Sequence, residues 1–246
     1  MKLKIFNIIK IIYYLFTLKT NEVRNILLKY PDYIFLNSSS KKNEIMRGYY
    51  SNMPFNGQKI RTKMVNNIIE KFSPELIIET GTYFGNTLEH FLSYGVPVYS
   101  IEINSEFYFV AKSRFIDNHN LYLYNSDSVS ELKKIKKESQ RAFVYLDAHW
   151  YKELPLDEEL RILEKYREVV IVIDDFQVPE NSLWKFDNYD KTQLDIQNVS
   201  IPDSFKLYFP NYDPIDDGGF MTGCLVLAKG TKSNKVLIEN KYLKAH

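Results

Sequence analysis

Between residues 75 and 175, short apolar runs alternate with longer stretches in which apolar residues return every three or four positions. The runs Leu76–Glu79, Val96–Ile101, Leu121–Tyr124, Ala142–Leu146 and Val169–Ile173 are short and mostly apolar, the pattern of strands buried on both faces. Thr87–Tyr94, Ser105–Asn118, Ser128–Lys137 and Leu156–Arg167 predict the helices between them. A helix is also expected from Gln58 to Phe72, with Ile60, Met64, Ile68 and Ile69 on its apolar face and Ser73-Pro74 as its stop. Such alternation specifies an α/β domain: a parallel sheet with right-handed crossovers and helices on both faces. Two further strands are predicted at Phe205–Phe209 and Phe220–Ala228. Their connection is too short for a crossover helix, so they should pair antiparallel as a C-terminal hairpin, bringing the sheet to seven strands.

The chain before this region has a different pattern. Ile5, Ile8, Ile9, Ile12, Leu15 and Phe16 fall on one helical face, with Lys4, Asn7 and Lys10 away from it. Residues 1–43 are expected to form an N-terminal helical extension that closes with the polar run Ser38–Asn43, and residues 44–246 the main domain. The first helix is expected to pack on the domain or on a second copy of the chain. Its basic amphipathic pattern also suits peripheral membrane contact through residues 1–19. The apolar stretch is too short and interrupted for a bilayer span, and Lys10 argues against a cleaved leader.

Composition changes this picture little. At 45% hydrophobic residues the chain can bury a substantial core, and its formal charge of +1 argues against an extended nucleic-acid surface. The single Cys224 rules out an internal disulfide and a multi-cysteine zinc site.

Candidate chemistry gathers at the carboxyl ends of the strands, where open α/β sheets bind their ligands. The first strand runs into the turn Glu79-Thr80-Gly81-Thr82-Tyr83-Phe84-Gly85-Asn86-Thr87. Gly81 and Gly85 allow a tight turn and close approach of a ligand to the backbone. Glu102, at the end of the second strand, stands where a carboxylate grips a ribose diol. Ser126 and Asp127 follow the third strand, where an adenine ring would lie; Asp127 is equally suited to cap the next helix. Asp147 closes the fourth strand and Asp174-Asp175 the fifth. Neighbouring strands lie about 4.8 Å apart, so these carboxylates can converge on one point. Converging carboxylates require a cation or a proton between them, and hard oxygen ligands suit Mg²⁺. His149 and Lys152, just beyond Asp147, are candidate proton acceptors at the same edge.

These residues resemble the class I S-adenosylmethionine (SAM)-dependent methyltransferases, and within them the metal-dependent O-methyltransferases typified by catechol O-methyltransferase. The turn resembles that enzyme's E-L-G-A-Y-x-G-x-S pattern in having Tyr83 where the broader class has a glycine. Asn56-Gly57-Gln58 and Phe72-Ser73-Pro74 are similar to its approach to the first strand, and Leu146-Asp147-Ala148-His149-Trp150 is similar to L-D-H-W with one insertion. The pair Asp174-Asp175 resembles that of macrolide sugar O-methyltransferases and cephalosporin-hydroxylase-like proteins. The resemblance implies a Rossmann-like sheet. Gly81, Thr82 and Tyr83 would line SAM, Glu102 its ribose, Ser126 and Asp127 its adenine, and Asp147, Asp174 and Asp175 would hold Mg²⁺.

The expected activity is therefore SAM-dependent, Mg²⁺-assisted methylation of a hydroxyl on a small molecule such as a sugar. His149, Lys152 and Asp147 form the expected catalytic group. The acceptor is expected to be closed over by Met46–Gln58 and by Gln177–Gln193, whose Trp184, Phe186 and Tyr189 suit stacking on a sugar face and equally suit packing within the lid. A cytoplasmic protein, in a homo-oligomer or alone, is expected. The competing readings are a SAM-binding protein without transfer activity and a metal-free N-methyltransferase acting on protein or RNA.

Overall fold

The computed structural model describes residues 53–135, 140–149, 154–189 and 192–246. The expected N-terminal extension, its polar linker, Trp150 and Lys152 lie outside the described residues.

A short 3-10 turn, Pro54–Gly57, leads into α1 (Lys59–Phe72). β1 (Leu76–Thr80), α2 (Asn86–Leu92), β2 (Val98–Glu102), α3 (Ser105–Arg114), β3 (Leu121–Asn125), α4 (Ser128–Leu132), β4 (Arg141–Leu146), α5 (Leu156–Leu163) and β5 (Glu168–Asp174) then alternate. A two-stranded ribbon, β6 (Asn188–Tyr189) with β7 (Thr192–Gln193), interrupts the next connection. β8 (Lys206–Pro210), the single turn α6 (Pro214–Asp217), β9 (Cys224–Lys229), α7 (Thr231–Ile238) and β10 (Leu243–Ala245) complete the described chain.

The main sheet has the order β10-β8-β9-β5-β4-β1-β2-β3. β1 to β5 are parallel, and β9 inserts antiparallel between β5 and β8. The hairpin read from the sequence is therefore present, and its second strand lies inside the sheet. The sheet has eight strands where seven were expected. The addition is β10, which pairs antiparallel with β8 at the edge and carries too few residues to show a period.

Alternate residues along each strand feed two cores. Ile78, Val144, Ile171 and Leu227 pack with α4 and α5 on one face. Ile77, Phe143, Val170 and Val226 pack with α1, α2 and α7 on the other. The central strands β1 and β5 are buried almost throughout, as strands covered on both faces must be.

Several helices end earlier than their sequence pattern. α3 stops at Arg114, α4 at Leu132 and α5 at Leu163, because the residues that extend the apolar period pack after the backbone has left the helix. Ile135 and Tyr166 are such residues, buried beyond the last turns of α4 and α5. α1 ends as expected: Ser73 takes a left-handed conformation (φ 50°) and its N–H reaches the Ile69 carbonyl.

α1 begins without a cap of its own. Asp217, fully buried in α6, supplies one from across the sheet edge. Its Oδ1 accepts the N–H groups of Ile60 and Arg61, and its Oδ2 accepts Gln58 Nε2 at 2.9 Å. A carboxylate at the positive end of a helix is favourable on both hydrogen-bond and dipole grounds. Gly219 makes the approach possible: at φ +63° a Cβ there would sit 2.4 Å from the Asn56 carbonyl oxygen. The β8–β9 loop and the entrance to α1 thus form one clamped unit beside the carboxyl edge of β5.

Among the described residues, no helix is long and apolar enough to cross a membrane.

Candidate functional site

The order of the sheet reverses between β1 and β4, and the predicted residues collect around that point. Gly81 leaves β1 at φ +82°, and a Cβ on it would lie 2.2 Å from the Asp147 carbonyl oxygen. Its N–H bonds the Ile101 carbonyl while Asp147 N–H bonds that of Thr80, so the turn is fastened to β2 and β4. Only glycine fits this crossing. Tyr83, in the place of the class's middle glycine, still adopts φ 50°. Its N–H donates to Glu102 Oε2 at 2.7 Å, and its half-exposed ring packs edge-on against Phe84 and Phe107. The hydrogen bond and the ring packing hold a conformation that a side chain ordinarily disfavours.

Glu102 is buried, and its Oε1 accepts Asn104 N–H at 2.8 Å. Burial raises its pKa, while the two backbone donors oppose the rise. Each oxygen retains a lone pair for a diol. Below it, Glu79 accepts Ser100 Oγ at 2.6 Å, and Ser100 in turn meets Thr82 Oγ1 at 2.6 Å. Burial pushes the Glu79 pKa to about 8.

Other turn residues hold the framework. Thr87 Oγ1 accepts Phe55 N–H, Asn86 Oδ1 accepts Arg114 Nη1, and Gly85 is the residue before α2. Asp127 caps α4, accepting Ser130 N–H at 2.8 Å, and remains exposed beside half-buried Ser126. That backbone donor lowers the Asp127 pKa.

The acidic group at β4 and β5 differs from the three-aspartate arrangement expected. Ligand atoms of Asp147, His149 and Asp175 lie within 4.8 Å of one another. His149 Nε2 is 3.7 Å from Asp147 Oδ1, beyond hydrogen-bond reach. His149 Nε2, Asp147 Oδ1 and Asp175 Oδ1 are all buried atoms without a hydrogen-bond partner. Asp174 belongs to another set. It ends β5 on the α1 face, where its Oδ1 pairs with Arg61 Nη1 and its Oδ2 accepts Tyr145 OH at 2.7 Å. Arg61 is fully buried and also donates Nη2 to the Thr222 carbonyl. Asp175 leaves the strand at φ 50°, which separates its carboxylate from that of its neighbour.

The electrostatics match this arrangement. Burial, then Asp174 and Asp175, raise the Asp147 pKa well above its ordinary value. Burial, then Asp174 and Asp187, do the same to Asp175, opposed by Thr222 and Arg61. Burial lowers the His149 pKa and keeps the imidazole neutral, against the pull of Asp187 and Asp174. Uncompensated negative charge here is what a cation would relieve.

Arg61, Thr222 and Asp187 were not singled out from the sequence. Arg61 lies on a helix whose apolar face accounts for its neighbours, and Thr222 and Asp187 are in loops without a motif. One signal was present: an arginine among the buried positions of an amphipathic helix requires an anionic partner. Trp184 takes the packing role of the two open to the expected acceptor loop. It is buried in the core against Tyr212, at 5.3 Å between ring centroids, and cannot stack on a sugar. Phe186 is half-buried in the same loop, and the side chain of Tyr189 lies outside the described residues. A cavity of about 320 Å³ lined by Val199, Ile201 and Phe205 lies where β8 begins, on the opposite edge of the sheet from this group.

No protein-family model and no curated protein sequence matches the chain. Solved structures do. The O-methyltransferase from Bacillus cereus, in complex with SAH (S-adenosylhomocysteine), aligns over 89% of this chain and 96% of its own, at 14% identity and a TM-score of 0.51. A caffeoyl-CoA O-methyltransferase candidate from Staphylococcus aureus aligns over 84% and 99%, at 15% identity and 0.51. An O-methyltransferase candidate from Klebsiella pneumoniae aligns over 82% and 95%, at 12% identity and 0.52. The chain has the Rossmann-like fold of these methyltransferases.

Proposed function

We propose that this protein is a SAM-dependent methyltransferase acting on a hydroxyl of a small molecule, with saccharides as the first acceptor class. One observation carries the reading. At the strand-order reversal of a methyltransferase-type sheet, the glycine turn, the Glu102 carboxylate and the Asp147–His149–Asp175 group share one edge.

The residues fit SAM. The Gly81 crossing packs the turn directly against the β4 backbone at the strand-order reversal, and Glu102 is fixed by two backbone donors with acceptor capacity remaining for a ribose. Bound there, SAM supplies a methyl group already activated by its sulfonium. The protein's task is then to orient two reactants and manage one proton. The residues at β4 and β5 also fit a divalent cation, since three buried ligand-type atoms stand close together without hydrogen-bond partners. Asp147, His149 and Asp175 would hold such a cation, which would supply Lewis acidity toward an acceptor hydroxyl. Burial keeps His149 neutral, the form that accepts a proton or binds a metal.

Calorimetric titration with SAH, with divalent metal and with EDTA, followed by a labelled-methyl assay on saccharides and phenols, tests the proposal. Micromolar SAH binding with EDTA-sensitive transfer to oxygen is expected. SAH binding without transfer to any acceptor would favour a SAM-binding module. EDTA-insensitive transfer to nitrogen would favour the metal-free enzyme, and absence of SAH binding would sink the cofactor assignment.

A further inference from the structure

Deepening the cation part of that function, we infer that Asp147, His149 and Asp175 form a mixed imidazole–carboxylate site for a divalent first-row transition-metal ion, from which Arg61 excludes Asp174.

The argument begins with hydrogen-bond accounting. Buried polar atoms are nearly always partnered. Three partnerless atoms on three side chains here come within 4.8 Å of one another, and His149 is only 2% exposed. A buried imidazole nitrogen facing two carboxylate oxygens without bonding either is arranged as a ligand. Small side-chain rotations bring such atoms to the spacing that neighbouring ligands of one ion require.

Charge gives the second part. Asp174 receives the fully buried Arg61 guanidinium and the Tyr145 hydroxyl, and its Oδ1 also accepts Asp175 N–H at 3.0 Å. Its negative charge is therefore compensated by protein. Of the three strand-end aspartates Asp147 and Asp175 remain, two negative charges that match one divalent ion, and the nearby Asp187 adds to the negative field. Arg61 acts as a positioning residue: it holds Asp174 on the α1 side of β5 and leaves coordination to the pair with the histidine.

Ligand chemistry gives the metal class. Mg²⁺ favours an all-oxygen shell and retains its waters, whereas imidazole suits ions such as Fe²⁺, Ni²⁺ and Zn²⁺; Mn²⁺, the weakest binder of that row, serves as the paramagnetic probe of the same site. One nitrogen with two carboxylates leaves positions open for water or an acceptor oxygen.

The test is pulsed EPR of the Mn²⁺-loaded full-length protein without SAM. Nitrogen modulation from a coordinated imidazole is expected in the natural protein and lost in His149→Gln. Its absence from the natural protein, or its persistence in His149→Gln, would overturn the site. Calorimetry should show Mn²⁺ affinity falling at least about tenfold in His149→Gln and in Asp175→Asn. The double variant Arg61→Met/Asp174→Asn, which removes both charges of the buried pair, should stay within about tenfold of the natural protein. A larger loss in a folded double variant would make Asp174 a ligand. If the double variant does not fold, the nitrogen signal decides the histidine ligand and Asp174→Asn alone decides the exclusion, a loss of Mn²⁺ affinity as large as that in Asp175→Asn overturning it. Mg²⁺ should compete only in large excess, and equal affinity would overturn the metal class. SAH titration of the same samples separates the two proposals: SAH binding without Mn²⁺ binding defeats this one alone, and Mn²⁺ binding without SAH binding defeats only the cofactor assignment.

Discussion

Glu159 and Gly81 illustrate two ways in which one residue matters. Glu159 is buried under β1 near the hydroxyls of Ser128 and Thr80, which favour its charged form. Burial outweighs them and raises its pKa from 4.5 to about 7. Between those values the folded protein holds a proton that the unfolded chain has released. The stability this group contributes is thus fully present below about pH 4.5 and is lost as pH rises through 7. Glu159→Gln removes that loss. It should match the natural protein near pH 4.5 and exceed it by on the order of 3 kcal/mol at pH 8. Thermal unfolding at both pH values checks this, and an unchanged difference between them would refute it. Glu79, with a pKa pushed to about 8, extends the same trend. Gly81→Ala acts through space and backbone together: φ +82° and a 2.2 Å approach to the Asp147 carbonyl leave no room for a methyl. We expect a loss of at least about 2 kcal/mol in stability and abolished SAH binding, read by denaturant unfolding and calorimetry.

At the scale of elements, the clearest dependence is that of α1 on a residue distant in sequence. Its first turn has no local cap, and the two amides it would leave bare are taken by Asp217. Asp217→Ala should expose those donors and cost roughly 2–3 kcal/mol, a fall of about 5–10 °C in Tm for a chain of this size. Hydrogen exchange should localise the damage to residues 58–62 and the β8–β9 loop. Protection lost uniformly over the sheet would argue against a local clamp. The strands and their order of appearance were legible because each is an apolar run bounded by polar turns. The hairpin was legible because its connection is short. Helix ends were less so: Tyr166 continues the apolar period beyond α5 while belonging to the following turn, and periodicity registers burial, not backbone conformation. β10 was invisible because an edge strand of three residues carries no pattern.

For the whole molecule, two cores flank one sheet, and the proposed site lies at the carboxyl edge between them. A ligand joining the β1 turn, the end of β2 and the end of β4 should stabilise the domain as a unit. At SAH a hundredfold above its Kd the gain is about 2.7 kcal/mol, a rise of roughly 5–10 °C in Tm. NADH, which shares the adenosine but lacks the sulfonium-derived tail, should give a smaller shift. Equal shifts would point to a generic nucleotide crevice.

The sequence by itself determined the class of fold, the glycine turn and the set of polar residues at the strand ends. Those follow from local pattern: strand period, turn chemistry and the rule that ligands meet the carboxyl edge. It did not determine how the acidic residues divide. Three aspartates at neighbouring strand ends look equivalent in a sequence. In the folded chain Asp174 faces α1 and is neutralised by Arg61, while Asp175, turned to φ 50°, joins Asp147 and His149. Which carboxylate is compensated by the buried arginine depends on a helix more than a hundred residues away in the chain. Electrostatic partnership is a matter of distance in space, and only tertiary structure fixes that.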